Sequence, residues 1–438
     1  MKIHALSPFA LTALAACAFV ACGGDSSEAG AAPSAQAGAA GAGGGAGGAA
    51  GAAGSGGDAG GPTCTPGVIK GPWSLHASDT LAKVRWQTCS PGSKAVSFAV
   101  EGTTAAKSVD ATETPYKTNL RYPSVLTDAP ADEPGQYYLY EATLSELAPS
   151  TCYTFDVAGD ATKKGRVCTA RKPGDKLTFL AIGDTNPALG TTENTLTAVL
   201  AKNPDFTVHG GDIQYYSGLE TWAYWFPKMQ PLLGAGAFYP AVGNHESEKP
   251  DEYEQYFSRF FGDAGFDGKT GYFTFESAGV HFFSVNTQEA FGAASEQGKW
   301  LVAKLEAASM APGFRGSVIF QHRPYFTCGD SDHHPTEQAE LEPSFKSFGV
   351  RLVLQAHMHG YERFEKDGIL YVTTGGGGGA IGTVDDALDR AECAFRKTSG
   401  AFPHGTIIDV DGATLTGTVI DAKGATRDTF TTSLVTPK

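Results

Sequence analysis

Five apolar runs in the second half of the chain each stop at residues that bind metals or move protons. Ile182 leads into Gly183-Asp184, and Phe206-Thr207-Val208 leads, past His209, to Gly210-Gly211-Asp212-Ile213-Gln214-Tyr215. Val242 opens onto Gly243-Asn244-His245-Glu246, Val318-Ile319-Phe320-Gln321 onto His322, and Val353-Leu354-Gln355 onto Ala356-His357-Met358-His359. Singly each is weak, because Gly-Asp after a strand is ordinarily a turn and a His there ordinarily a capped surface residue. Leaving His245 and Glu246 aside, together they offer two Asp, a Tyr, an Asn and three His. These hard oxygen and imidazole donors suit a pair of hard or borderline cations, such as Fe(III) beside Zn, Mn or Fe(II).

Such donors act together only if the backbone gathers the strand ends. Leu177 to Ile182 is a continuous apolar run, as expected of a strand buried on both faces. Residues 192–202 have helical spacing, with Leu196, Val199 and Leu200 on one side, and Phe206-Thr207-Val208 reads as the next strand. Strand, helix, strand implies an α/β layer domain, in which ligands collect beyond the carboxyl ends of the strands. Ahead of it, from Val68 to Lys172, short β-rich runs alternate with Pro and Gly turns. Lys83–Gln87, Ala95–Val100, Tyr137–Leu144, Thr151–Val157 and Gly165–Thr169 predict a small antiparallel β-sandwich. It carries no catalytic cluster and reads as a passive partner. The expected order is an export signal at 1–22, a linker at 23–66, a sandwich at 67–172 and an α/β domain at 173–438.

The five motifs resemble those of the purple acid phosphatases, within the calcineurin-like metallophosphoesterases. That family's pattern runs GDxG, GDxxY, GNH(E/D), VxxH and GHxH. This chain answers with Gly183-Asp184-Thr185-Asn186, Gly211-Asp212-Ile213-Gln214-Tyr215, Gly243-Asn244-His245-Glu246, Ile319-Phe320-Gln321-His322 and Ala356-His357-Met358-His359. The resemblance implies a four-layer α/β/β/α domain and a phosphate-ester small molecule as substrate. It also implies that Asp184, Tyr215 and His359 hold a ferric ion, that Asn244, His322 and His357 hold Zn, Mn or Fe(II), and that Asp212 bridges the two. Most metallophosphoesterases begin with Asp-x-His, but Asn186 stands here in place of that His. A hard, anionic Tyr215 phenolate would fill the gap, favour Fe(III) and colour the protein. Leu147-Ala148-Pro149-Ser150-Thr151-Cys152-Tyr153 resembles the L-x-P-x-T-x-Y turn of fibronectin type III domains. Three departures stand out: Asn186 and Ala356 replace glycines of the pattern, and His333-His334 lie farther beyond His322 than in the plant members.

The chemistry implied is phosphomonoester hydrolysis. An Fe(III)/M(II) pair outweighs the charges of Asp184, Asp212 and Tyr215, so the site stays positive and draws a phosphate dianion. Two cations can clamp the attacking and leaving oxygens, and a ferric ion acidifies a water. By resemblance, His245, His333 and His334 are the candidate proton donors to the leaving group. Unperturbed imidazole is largely protonated below about pH 6.5, which suits an acid optimum. His333 or His334 is favoured as the acid, with His245 on the phosphate oxygens. Arg323 either contacts phosphate, with Asn244, or pairs with a carboxylate. Gly375 to Gly379 is no Walker loop, since no Gly-Lys-Ser/Thr follows, and instead allows close backbone approach. His209 and His281 read as packed.

The N-terminus reads as an address. A short basic start and the apolar stretch Ala5 to Ala21 suit an export signal, and either Cys17, after Leu14-Ala15-Ala16, or Cys22, after Phe19-Val20-Ala21, suits lipidation, with Cys22 favoured because Gly-Gly-Asp follows it. In 23–61, 30 of 39 residues are Gly or Ala, which makes a flexible tether. Cys64, Cys89, Cys152, Cys168, Cys328 and Cys393 remain, an even number that suggests three disulfides in an exported protein. Cys152 and Cys168 flank an expected hairpin; Cys64 with Cys89 and Cys328 with Cys393 follow by proximity or elimination. With 33 basic and 47 acidic residues the net charge is −14, which disfavours nucleic acid and anionic membrane, leaving a lipid as the only membrane link. A phosphodiesterase or nucleotide hydrolase on the same site, a tethered binding protein and an adhesion role are the rival readings.

Overall fold

The computed structural model describes residues 65–122, 130–215, 221–248, 253–262, 271–384 and 390–435. The export signal, the Cys22 lipid site and Cys64 lie outside these. Eight strands come first: β1 (Val68–Leu75), β2 (Ala82–Thr88), β3 (Ala95–Val100), β4 (Lys107–Asp110), β5 (Thr112–Thr118), β6 (Gly135–Leu144), β7 (Cys152–Val157) and β8 (Asp160–Cys168). They lie in the orders β1-β2-β6-β5 and β4-β3-β7-β8. Alternation in the sequence produces the inward faces: Val84 and Trp86 of β2 and Val96 and Phe98 of β3 are buried, and Trp86 stacks on Tyr140 at 5.0 Å. The short β4 and β5 escaped sequence reading because both are mostly exposed and polar.

The second half runs β9 (Leu177–Ile182), α1 (Thr191–Leu200), β10 (Phe206–His209), α2 (Trp222–Leu233), β11 (Ala237–Pro240), α3 (Ser258–Phe261), β12 (Phe273–Ser277), β13 (Val280–Val285) and α4 (Glu296–Ser309). It continues β14 (Gly316–Gln321), α5 (Pro335–Ser347), β15 (Val350–Gln355), β16 (Tyr361–Lys366), β17 (Ile369–Thr374), β18 (Arg396–Gly400), β19 (His404–Asp411), β20 (Thr414–Asp421) and β21 (Thr426–Ser433). Two mixed sheets result. One, β12-β13-β14-β15-β17-β16-β18, is self-contained. The other, β21-β20-β19-β9-β10-β11, continues into β1-β2-β6-β5, so one ten-stranded sheet crosses the boundary expected near residue 172.

Aromatic side chains fill the space between the sheets: Phe282 meets Phe179 at 5.1 Å and Phe206 at 5.3 Å, both edge to face. Helix α1 packs on β19 and β20, and α4 on β13 and β14. Strands β9, β10 and β11 are parallel, as are β13, β14, β15 and β17. Parallel pairing puts the carboxyl ends of each set along one edge, where all five motifs emerge. Disulfides join Cys152 to Cys168 and Cys328 to Cys393. Cys89 is also disulfide-bonded.

Two buried charges of opposite sign tie the first eight strands to the rest. Asp132 accepts the backbone N–H groups of Trp222 and Ala223, both at 2.8 Å, at the start of α2. Arg85 donates to the carbonyls of Arg259 (3.1 Å), Phe260 (3.0 Å) and Gly262 (2.8 Å) at the end of α3, and also bonds Glu141. An anion at a helix start and a cation at a helix end each meet otherwise unpaired backbone groups and the favourable end of the dipole. Arg85→Ala strands three carbonyls and leaves Glu141 with Lys83 alone, at 2.8 Å. It should lower unfolding free energy in urea by about 3 kcal/mol. A loss below about 0.5 kcal/mol would show that water replaces Arg85 freely.

Candidate metal centre

The centre is built on backbone that ordinary residues avoid. Asp184, Asp212 and His357 have φ of 56°, 51° and 66°, in the left-handed region. That conformation costs about 1–2 kcal/mol for an L-residue, and Asp and His tolerate it better than most. Neighbouring backbone holds it in place. Asp184 N donates to Gly211 O (3.1 Å), Thr185 N to Asp212 O (3.1 Å) and Gly379 N to Asp184 O (2.8 Å). The glycines after β17 are what let that segment approach: a methyl on Gly375 would sit 2.8 Å from Asp184 Oδ2, and one on Gly379 would sit 3.0 Å from the His359 ring. Ala356 fits where the pattern has glycine because Gly183 and Gly210 make room. Its Cβ lies 2.8 Å and 2.7 Å from where their own Cβ atoms would be.

Glu246 fixes the loop of Asp212. It is buried, and its carboxylate accepts the backbone N–H of Asp212 (2.9 Å), Gly243 (2.6 Å) and Ile213 (2.8 Å). The sequence showed Glu246 as part of a motif but not this role, which depends on three amides from two loops.

Two donor groups converge, with Asp212 in both. Donors of Asp184, Asp212 and His359 lie within 4.8 Å of one another, as do those of Asp212, His322 and His357. In the second group, His322 Nδ1 donates to the Gly210 carbonyl at 2.9 Å, which leaves Nε2 as a lone pair in the neutral ring. That Nε2 faces Asn244 Oδ1 at 2.9 Å, His357 Nδ1 at 3.0 Å and Asp212 Oδ2 at 3.3 Å. In the first group, His359 Nδ1 donates to the Ala380 carbonyl at 2.7 Å. Its Nε2 faces Asp184 Oδ1 and Tyr215 Oη, each at 3.3 Å. Asp184 Oδ1 is buried and accepts no hydrogen bond among the described residues. Clustered acceptors with too few protons between them repel, and a cation in each group removes the conflict. The residues present therefore fit two metal ions.

Asn186, by contrast, is turned onto its own loop. Its Oδ1 accepts from Ala188 N at 3.2 Å, so the first group lacks a fourth side chain from that position. His245 is brought to the centre. Its Nε2 lies 3.8 Å from Asp212 Oδ2, its ring 4.3 Å from that of Tyr215, and its Nδ1 bonds Glu248. His333 and His334 face other partners: His333 Nε2 lies 3.1 Å from Glu392 and His334 Nδ1 3.4 Å from Glu337. Arg323 pairs with Asp332, the carboxylate alternative expected for it. His209 is buried against Thr185, and His281 packs on Phe314.

Among the protein groups alone, protons take the place of cations. Burial works against charge on His322, but Asp212 beside it lifts its pKa to about 9. His359 rises to about 9 against the same burial, through its contact with Asp184. Burial and the charge of His322 push His357 down to about 3. Metal ligation needs neutral imidazole, so ions must displace the protons of His322 and His359. Metal affinity should therefore rise with pH up to about 9, and loading at pH 7 should release at least two protons. Calorimetry in buffers of different ionisation enthalpy measures this, and proton-neutral binding would contradict it.

Comparison with known proteins finds relatives of this chain. Residues 177–361 match the family model of calcineurin-like phosphoesterases. Purple acid phosphatase 18 of Arabidopsis thaliana is 28% identical over 292 residues, 61% of this chain and 64% of the relative. Probable purple acid phosphatase 20 of the same plant is 27% identical over 372 residues, 78% and 81% of the two chains. The match spans 56% of purple acid phosphatase 15, so two of these relatives are covered over less than two thirds of their length. The solved structure of purple acid phosphatase PPD1 from yellow lupin seeds superposes with a TM-score of 0.67 at 16% identity, over 83% of this chain and 74% of that one.

Proposed function

Taking residues 177–361 as a calcineurin-like metallophosphoesterase domain with purple acid phosphatases for relatives, we propose that the protein is an exported acid phosphatase acting on phosphate monoesters. The observation that carries this reading is the pair of acceptor clusters sharing Asp212. In it, Asp184, Tyr215 and His359 hold Fe(III), and Asn244, His322 and His357 hold Zn, Mn or Fe(II). When bound, the two ions supply Lewis acidity to the phosphoryl group and acidify a water.

The chain's own groups do the rest. Glu246 and the Gly375–Gly379 backbone fix the carboxylates before substrate arrives, so no reorganisation is needed in the reaction. His245, tethered by Glu248, presents Nε2 3.8 Å from Asp212 Oδ2, and its role in this reading is to contact a phosphate oxygen. Arg323 adds a cation at the rim. For the proton delivered to the leaving oxygen we favour His334 over His333. His334 Nε2 has no partner among the described residues, whereas His333 Nε2 lies 3.1 Å from Glu392 Oε1. Export is supported by the N-terminal sequence together with the disulfides. We also read 67–172 as fibronectin type III-like. The reading is supported by the two sheet orders and by Tyr153, whose hydroxyl accepts from Ala148 N at 2.8 Å, as in a tyrosine corner.

The test is hydrolysis of an aryl phosphate monoester and the matching diester from pH 4 to 9, with Tyr215→Phe alongside. Monoester turnover peaking in acid is expected. Tyr215→Phe should abolish visible absorption and cut turnover by more than the roughly 10–100-fold typical of outer-shell changes. Diester preference or an alkaline peak would move the function to phosphodiester hydrolysis. No turnover with both ions bound would overturn the enzyme reading for these substrates.

A further inference from the structure

The segment 327–334 is secured at many points, and one side chain in it reaches the donor cluster. Arg390 bonds the carbonyls of Thr327 (3.0 Å) and Ser331 (2.8 Å). Cys328 is joined to Cys393, and its backbone N–H bonds Glu362 at 2.9 Å. At the far end, His334 N donates to Pro324 O at 2.9 Å. Between these anchors, Asp332 Oδ1 lies 2.5 Å from His357 Nε2, and the other oxygen, Oδ2, bonds Arg323.

His357 is the ligand that most needs such a contact. Its Nδ1 points at His322 Nε2, its backbone is left-handed, and its ring is part-exposed, at 20%. A neutral imidazole that binds through Nδ1 must carry its proton on Nε2. The nearest acceptor for that proton is Asp332. A carboxylate there fixes tautomer and ring orientation and raises the basicity of the inward nitrogen. Arg323 is steadied by the same group. Its backbone N–H bonds Thr287 Oγ1 at 3.0 Å, and its Nε is buried without a partner among the described residues.

We propose that Asp332 is a positioning residue of the second cation site, one oxygen holding His357 through Nε2–H and the other holding Arg323 at the rim. The proposal rests on the two-cation reading above. Asp332 lies immediately before His333-His334, so it also ties the segment carrying both histidines to a metal ligand. Incoming phosphate would compete with Asp332 for Arg323.

The experiment uses the full chain with Fe(III) loaded first and Zn(II) affinity then measured by chelator competition. Asp332→Ala should bind Zn(II) roughly 10–100-fold more weakly. Asp332→Asn, whose amide oxygen still accepts from Nε2–H, should lose less. The visible absorption assigned to Tyr215 should be unchanged in both, which a general loss of structure would not allow. Arg323→Ala leaves the His357 contact intact and should keep wild-type Zn(II) affinity while binding inorganic phosphate more weakly. Wild-type Zn(II) affinity in Asp332→Ala, or an equal loss in Arg323→Ala, would overturn the role of Asp332. A wild-type chain that takes up only one cation would instead overturn the two-cation reading itself.

Discussion

The constraint on which the rest of the structure depends is the crowding of acceptors around Asp212. Within about the reach of one hydrogen bond, His322 Nε2 confronts an amide oxygen, a carboxylate oxygen and a second imidazole nitrogen. Carbonyl partners on the outer ring nitrogens of His322 and His359 fix which nitrogen turns inward. Such an arrangement is unfavourable on its own, and the fold offsets it with rigidity. The left-handed residues, the glycines at their contacts and the amide cluster on Glu246 all hold the donors in place.

How the two halves meet extends the same theme. The ten-stranded sheet passes from β11 into β1, and buried Asp132 and Arg85 complete the open ends of α2 and α3. Helix α2 follows the segment carrying Asp212 and Tyr215, and α3 follows the one carrying Asn244 and His245. The first eight strands therefore contact the helices that follow these motif segments in the chain.

Much of this was legible in the sequence. Asp184, Asp212, Tyr215, Asn244, His322, His357 and His359 could be read because each sits where an apolar run stops, and strand ends on parallel sheets gather. The hairpin of β7 and β8 was legible from alternation and its flanking cysteines. Glu246, Asp332, Arg85 and Asp132 were not legible as to role. Their partners are backbone groups or side chains far along the chain, and no periodicity encodes such meetings. His333 and His334 show the limit from the other side: type and spacing drew attention to them, but only the fold reveals Glu392 and Glu337 as their neighbours.

Anomalous diffraction from crystals of the metal-loaded protein, recorded at the iron and zinc edges, tests the central claim most directly. Two peaks on either side of the Asp212 carboxylate are predicted, with iron on the Tyr215 side and the divalent ion on the His322 side. A single peak, or ions bound away from Asp212, would contradict the account.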